Sequence, residues 1–261
     1  MLPFKRILFP VDFSAQSIGA ARYVEAFTGR FDADLTLLHV IDLPHYNDLL
    51  PQSPAEKRAR LQSFLGTELE YFRVERIPAE GDAAQNILRM AREKQTDLIM
   101  MPTHGLGPFR KFLLGSVTAK ILHDADCPVW TGVHLESAPP LEKIEIHKLL
   151  CAVNLEPHSS TVLECAREFA AEYRAELTIL HVVNSSQEAM KARERLASLA
   201  GTEATLLVEA GEVPAVVSAT ARRVAADLLV IGRSASPGVF GRLRTHSYPI
   251  IRESPCPVIS V

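Results

Sequence analysis

Cysteine is scarce in this chain of 261 residues. The four present, Cys127, Cys151, Cys165 and Cys256, form no Cys-x-x-Cys pair and no regular Cys/His spacing. A disulfide-stapled fold is thereby excluded, no tetrahedral zinc site is indicated, and reduced, mostly buried thiols are expected. The nine histidines are scattered, and no metal site is assigned to them. No apolar run approaches the roughly 20 residues of a membrane-spanning helix. Met1-Leu-Pro-Phe-Lys-Arg6 leads into a short strand without the h-region and cleavage site of a signal peptide, so the expected location is the cytoplasm. Positive charge is not in excess: 28 Lys and Arg against 31 Asp and Glu give a formal net charge of −3, dispersed, which leaves no footprint for nucleic acid. A Gly-Lys-Ser/Thr Walker loop and a Gly-x-Ser-x-Gly elbow are both missing. Asp12, His104 and Ser116 supply the residue types of a hydrolytic triad without that elbow, and no residue stands out as a base for ATP hydrolysis.

What is present is an alternation of short apolar strands with helix-compatible segments, over a length sufficient for two domains. Strands are expected at Arg6 to Val11, Asp34 to Val40, Phe72 to Ile77, from Asp97 into the Pro102 to Gly105 turn, and at Cys127 to Val133. Helices are expected from Ser14 to about Gly29 with Ile18, Ala21, Tyr23, Val24 and Phe27 facing a sheet, from Ser53-Pro54 to about Thr67, after Asp82, and from Ser116 to Asp124. The segment from Ile41 to Gln52 reads as a long loop. Strand and helix in alternation indicate an α/β fold with a mainly parallel sheet and ligands outside the carboxyl ends of its strands.

One such end carries the most informative stretch, Met101-Pro-Thr-His-Gly105 followed by a basic loop to Gly115-Ser116-Val117. Gly115 would let backbone approach a ligand, and Ser116 with the N–H groups of the following turn would present donors and a positive dipole end, a combination suited to phosphate.

The order of elements then repeats. His134 to Lys143, with Pro139-Pro140 and few apolar anchors, reads as a linker, which bounds the expected domains at 1–138 and 144–261. Leu35-Thr-Leu-Leu-His-Val40 returns as Leu177-Thr-Ile-Leu-His-Val182, Gly81 as Gly211, Asp97-Leu-Ile as Asp227-Leu-Leu, and Cys127-Pro-Val as Cys256-Pro-Val. The second copy lacks the Pro44 to Gln52 loop. It also replaces Asp12 by Asn154 and places Arg244-Thr245 or Thr245-His246 where Gly115-Ser116 would fall. Arg233, Arg242 and Arg244 read either as a solvated basic loop or as a different anion site.

Phe4-Lys-Arg-Ile-Leu-Phe-Pro-Val-Asp12-Phe-Ser14, His39-Val40, Met101-x-Thr-His-Gly105, Gly115-Ser116-Val117 and Cys127-Pro-Val129 resemble the universal stress protein family, over nearly the whole chain and twice. The family's nucleotide motif is Gly, two residues, Gly, nine residues, Gly and Ser/Thr. Gly105, Gly115 and Ser116 match it, whereas Pro102 stands at its first glycine. The resemblance implies two tandem flavodoxin-like, or Rossmann-like, domains. Each would be a five-stranded sheet of order 3-2-1-4-5 with helices on both faces, and the two would pair as an internal pseudo-dimer through their fifth strands. It further implies ATP, with magnesium accompanying the phosphates. Pro10, Asp12 and Val40 would border adenosine, and Met101, Pro102, Gly105, Gly115, Ser116 and Val117 would lie along ribose and phosphates. Proline removes an N–H, so a contact that the glycine would make is lost there.

Two functions are therefore expected as alternatives. One is a nucleotide-responsive regulatory or interaction module with unidentified protein partners. The other is a stress-response interaction protein with both sites degenerate. A further homodimer is left open.

Overall fold

The computed structural model describes residues 3–41, 53–105, 114–133, 135, 138–156, 159–185, 187–200, 204–233 and 246–261. In chain order the elements are β1 (Arg6–Pro10), α1 (Ala15–Phe31), β2 (Asp34–Ile41), α2 (Pro54–Ser63), β3 (Val74–Glu80), α3 (Ala83–Glu93), β4 (Leu98–Pro102), α4 (Ser116–Asp124) and β5 (Val129–Gly132). The second copy follows as β6 (Lys148–Ala152), α5 (Ser159–Tyr173), β7 (Glu176–Val183), α6 (Ala189–Ala200), β8 (Thr205–Ala210), α7 (Val213–Val224), β9 (Leu228–Ile231), α8 (Ser247–Glu253) and β10 (Val258–Ser260).

All ten strands join one sheet, ordered β3-β2-β1-β4-β5-β10-β9-β6-β7-β8. Every pairing is parallel except the seam, where β10 runs antiparallel to β5 with Ile259 opposite Trp130. The expected order of each half and its pairing through the fifth strand are thus both present, and the seam covers two edges that would otherwise stand open. Alternation along the strands sends Ile7 and Phe9 to a core beneath α1, α2, α5 and α6, and Leu8 to a second core beneath α3, α4, α7 and α8.

The repeated residues do repeated work. Asp97 Oδ2 accepts from Lys5 N and Arg6 N at 3.0 and 2.9 Å, and Asp227 Oδ2 accepts from His147 N and Lys148 N at 2.8 and 2.9 Å. Each carboxylate at the mouth of a fourth strand pins the start of a first strand. His39 Nδ1 lies 2.8 Å from Val11 O and His181 Nδ1 2.8 Å from Val153 O, so each histidine locks the turn that leaves the first strand. Gly81 and Gly211 hold positive φ, 104° and 150°, which accounts for glycine at both turns. Phe27 and Phe31 interleave with Phe169 and Tyr173, their counterparts in the other copy, at centroid separations of 6.0 to 6.2 Å. A second contact between the copies is thereby formed under the seam.

Several sequence expectations need correction. α1 passes through exposed Gly29 and ends at Phe31, because Asp32 adopts the left-handed cap conformation with φ 47°. Ile18 is 49% exposed, and Ala20 and Phe31 take buried places on the helix face instead. α2 stops at Ser63, with Leu65 in the left-handed region, and β3 begins at Val74, two residues later than expected. The segment joining the copies does have an apolar anchor. Leu135 is buried at 3% exposure against Gly19 and Gly132, and Arg22 donates to the carbonyls of Ala138 and Pro139. The Pro44 to Gln52 loop, Arg242 and Arg244 lie outside the described residues.

Candidate functional site

The cavity of interest opens between β1 and β4, the switch point of the first copy's strand order. These strands pair only at Ile7/Leu98 and Leu8/Ile99. Val11 N donates toward β2, to Leu38 O at 2.9 Å, so by alternation the Pro10 nitrogen is turned toward β4. Ile99 N donates toward β5, to Pro128 O at 3.0 Å, which turns the Pro102 nitrogen toward β1. The next two ladder bonds would need the N–H groups of Pro10 and Pro102, and proline has none. The strands diverge there. In the second copy Ala152 stands at the place of Pro10, and β6 remains paired with β9 as far as Ala152/Ile231. This joint action of two prolines was missed from the sequence, where Pro102 was read only as a departure from a motif.

The resulting cavity, about 350 Å³, is lined by Pro10, Asp12, Val40, Met101, Pro102, Gly105, Gly115, Ser116 and Val117, so all nine candidate residues reach one space. Val11, Ser17, Leu38, Ala83, Ile87, His104 and Thr118 complete the wall. The volume falls in the lower part of the range typical of small-ligand pockets.

Asp12 is held by the turn after β1. Its Oδ1 accepts from Ser14 N at 3.0 Å, Ser14 Oγ at 2.5 Å and Ser17 Oγ at 2.6 Å, while Ser14 Oγ caps α1 through Ser17 N. Between these residues Phe13 takes φ 62°, a costly conformation for a non-glycine residue, matched by Leu155 at 59° in the second copy. Phe13 is fixed by ring contacts with His39 and Phe64 at 4.3 and 5.1 Å and by the Arg60 guanidinium 4.4 Å above it. Asn154 reproduces the turn in the second copy, its Oδ1 accepting from Glu156 N and Ser159 Oγ. One side-chain oxygen therefore suffices for the turn. The second carboxylate oxygen of Asp12 faces Gly105, where an added Cβ would collide with it.

Gly115 is not held to glycine by its own conformation. Its φ of −62° is open to any residue, and a Cβ would meet nothing nearer than Thr103 O at 3.4 Å. Neither the backbone nor any described neighbour demands glycine here. Its own N–H is also committed, donating to Thr103 O at 2.8 Å, so the donors facing the cavity begin one residue later. α4 starts at Ser116 with no side-chain cap among the described residues. The first turn of α4, the positive end of the helix, lines the cavity through Ser116, Val117 and Thr118.

No hydrogen bond among the described residues joins Ser116 to His104, whose Nδ1 instead pairs with Thr103 Oγ1 at 3.1 Å. No cluster of three or more potential metal ligands occurs among the described residues. No helix there is long and apolar enough to cross a membrane. Arg233 belongs to neither expected class. It is half-buried, and its Nη1 and Nη2 donate to Ala125 O and Cys127 O at 2.8 and 2.9 Å, across the seam in the first copy.

Comparison with known proteins agrees with this duplication. The model of the universal stress protein family matches residues 3–131 and 184–261. A universal stress protein of Methanocaldococcus jannaschii is 29% identical over 136 residues, covering 48% of this chain and 80% of that protein. One from Thermus aquaticus is 32% identical over 136 residues, 48% of this chain and 96% of its own length. The crystal structure of a universal stress protein from Archaeoglobus fulgidus shares the fold along 98% of this chain and 95% of its own, with a TM-score of 0.77 at 23% identity. The second family match begins only at residue 184, yet β6, α5 and β7 before it reproduce β1, α1 and β2 in order and pairing. With two family matches in tandem and one strand order mirrored across the β5/β10 seam, the chain belongs to the universal stress protein family.

Proposed function

We propose that this chain binds one ATP, with magnesium accompanying the phosphates, in the first-copy cavity. On this reading it works in the cytoplasm as a nucleotide-responsive regulatory module, built from domains at 1–138 and 144–261. The observation that carries it is the convergence of the nine candidate residues on one cavity that also receives the first turn of α4. Adenosine would lie against Pro10, Val40 and Met101, the ribose hydroxyls would meet Asp12, and the phosphates would face Gly115, Ser116 and Val117. The carboxylate of Asp12, where the second copy has Asn154, and a glycine at 115 that no described neighbour requires both support the assignment. Magnesium would ride with the phosphates, as it usually does, rather than sit in a protein cage.

Among its described residues the second copy keeps its strands paired across the switch point, and α8 begins only at Ser247. Pro102 supports the alternative of a nucleotide-independent interaction protein, because a donor is missing where the motif has glycine. Denaturing the purified chain and analysing the released small molecules separates the two readings. Adenine nucleotide approaching one equivalent is expected, and its absence, together with no binding at millimolar ATP, would favour the alternative.

A further inference from the structure

Arg233 takes in the second copy the place of Thr103 in the first. Thr103 N donates to Gly132 O at 3.2 Å and Arg233 N to Val261 O at 2.8 Å, at matching ends of the two copies. The Thr103 hydroxyl stays within its own copy, donating to Gly132 O at 3.3 Å. The Arg233 guanidinium instead crosses the seam to Ala125 O, at the C-cap of α4, and to Cys127 O just beyond. Tyr248 on α8 donates its hydroxyl to Ala119 O, in the middle of α4, at 2.8 Å. Two side chains of the second copy thus hold three carbonyls along and just past α4, while the opposite end of that helix lines the candidate cavity. α4 has nine residues and a length of about 14 Å, so a displacement at its C-terminus is carried to its N-terminus. A guanidinium at the C-terminus also complements the negative end of the helix.

We propose that Arg233 and Tyr248 are positioning residues for the phosphate-binding end of α4, so that the second copy sets the phosphate affinity of the first. This rests on the ATP reading above. Neither residue reaches the cavity wall formed by Pro10, Val40 and Met101. Loss of the brace should therefore fall on the phosphates and spare adenosine.

The test is calorimetric titration of the full chain, Arg233→Met and Tyr248→Phe with magnesium ATP and, separately, with adenosine. The dissociation constant for ATP should rise about three- to tenfold in Arg233→Met and less in Tyr248→Phe, while that for adenosine stays within about twofold. If the unaltered chain binds ATP and both variants bind it equally well, the brace is overturned. It is overturned too if adenosine is weakened as much as ATP, which would signify a general loss of structure. Should Arg233→Met not fold, Tyr248→Phe carries the comparison. Amide hydrogen exchange without nucleotide gives a second readout: α4 should exchange faster in the variants and α3 should not, and unchanged α4 protection would overturn the brace. If the unaltered chain binds no ATP, the proposed function fails instead, and hydrogen exchange alone decides whether α4 is braced.

Discussion

Asp12 and Gly105 meet so closely that a Cβ on Gly105 would collide with the Asp12 Oδ2 atom. The other oxygen of that carboxylate is committed to Ser14 and Ser17, and the second copy builds the same turn with Asn154. Asp12→Asn should therefore leave the fold intact, with thermal stability changed by less than about 0.5 kcal/mol. ATP affinity should fall about tenfold if the carboxylate accepts from ribose hydroxyls. Thermal unfolding and titration on the same sample check both halves, and a large stability loss would mean that the carboxylate serves the turn.

Pro102→Gly restores an N–H that points toward β1, across the gap in which the cavity opens. The Pro10 carbonyl on that strand would compete for it with any ligand. The expected gain in ATP affinity is accordingly less than about threefold, below the roughly tenfold or more that a new hydrogen bond to a charged group would bring. A larger gain on titration would show that the amide reaches the nucleotide directly.

Much of the architecture was legible because strands and helices here carry their own signals. Ser14, Ser53 and Asp82 cap the helices expected of them, and Asp97/Asp227 and His39/His181 recur because each makes the same bond in both copies. The errors fell where long-range packing decides. Gly29 looked like a helix stop, but Asp32 supplies the left-handed residue, and Leu135 turns an apparently unanchored linker into part of the core. The candidate residues of the cavity came from the resemblance to the universal stress protein family, with the spacing of Gly105, Gly115 and Ser116 as its most specific part. The reason the cavity exists did not, because it depends on which way the Pro10 and Pro102 nitrogens point in a ladder that only three dimensions reveal. Arg233 was misread for a similar reason: its partners are backbone carbonyls more than 100 residues away.

Gly19→Ala reverses the usual helix rule. Alanine in the middle of a helix ordinarily gains up to about 1 kcal/mol over glycine. In α1, however, a Cβ at position 19 would collide with the Leu135 carbonyl, a backbone atom that cannot step aside alone. The substitution should destabilise the chain by about 1–3 kcal/mol, as overpacking does. Urea unfolding measures it, and an unchanged or raised midpoint would show that the linker yields.

Burial raises the pKa of all four thiols, that of Cys127 to about 11 and those of Cys165 and Cys256 to about 12, with Cys151 higher still. The native thiols therefore stay protonated at pH 8 and should react with a thiol reagent at least about a hundredfold more slowly than in denaturant. A thiol raised in the folded state favours folding fully below its unfolded value and loses that contribution as pH rises toward the folded value. Stability should accordingly decline from about pH 8.5 upward. Reagent kinetics at pH 8 and unfolding midpoints from pH 7 to 10.5 check the two statements, and rapid labelling of the native chain would contradict them.

One calorimetric titration with ATP and magnesium, run on the full chain and on Gly115→Arg, bears most directly on a single nucleotide site in the first copy. Glycine at 115 has φ −62° and, among the described residues, no neighbour tight enough to exclude a Cβ, so a larger residue there would intrude on the ligand rather than on the backbone. The account predicts a stoichiometry of one for the unaltered chain and no measurable heat for a folded Gly115→Arg variant. Two equivalent sites, or binding that survives Gly115→Arg, would contradict it.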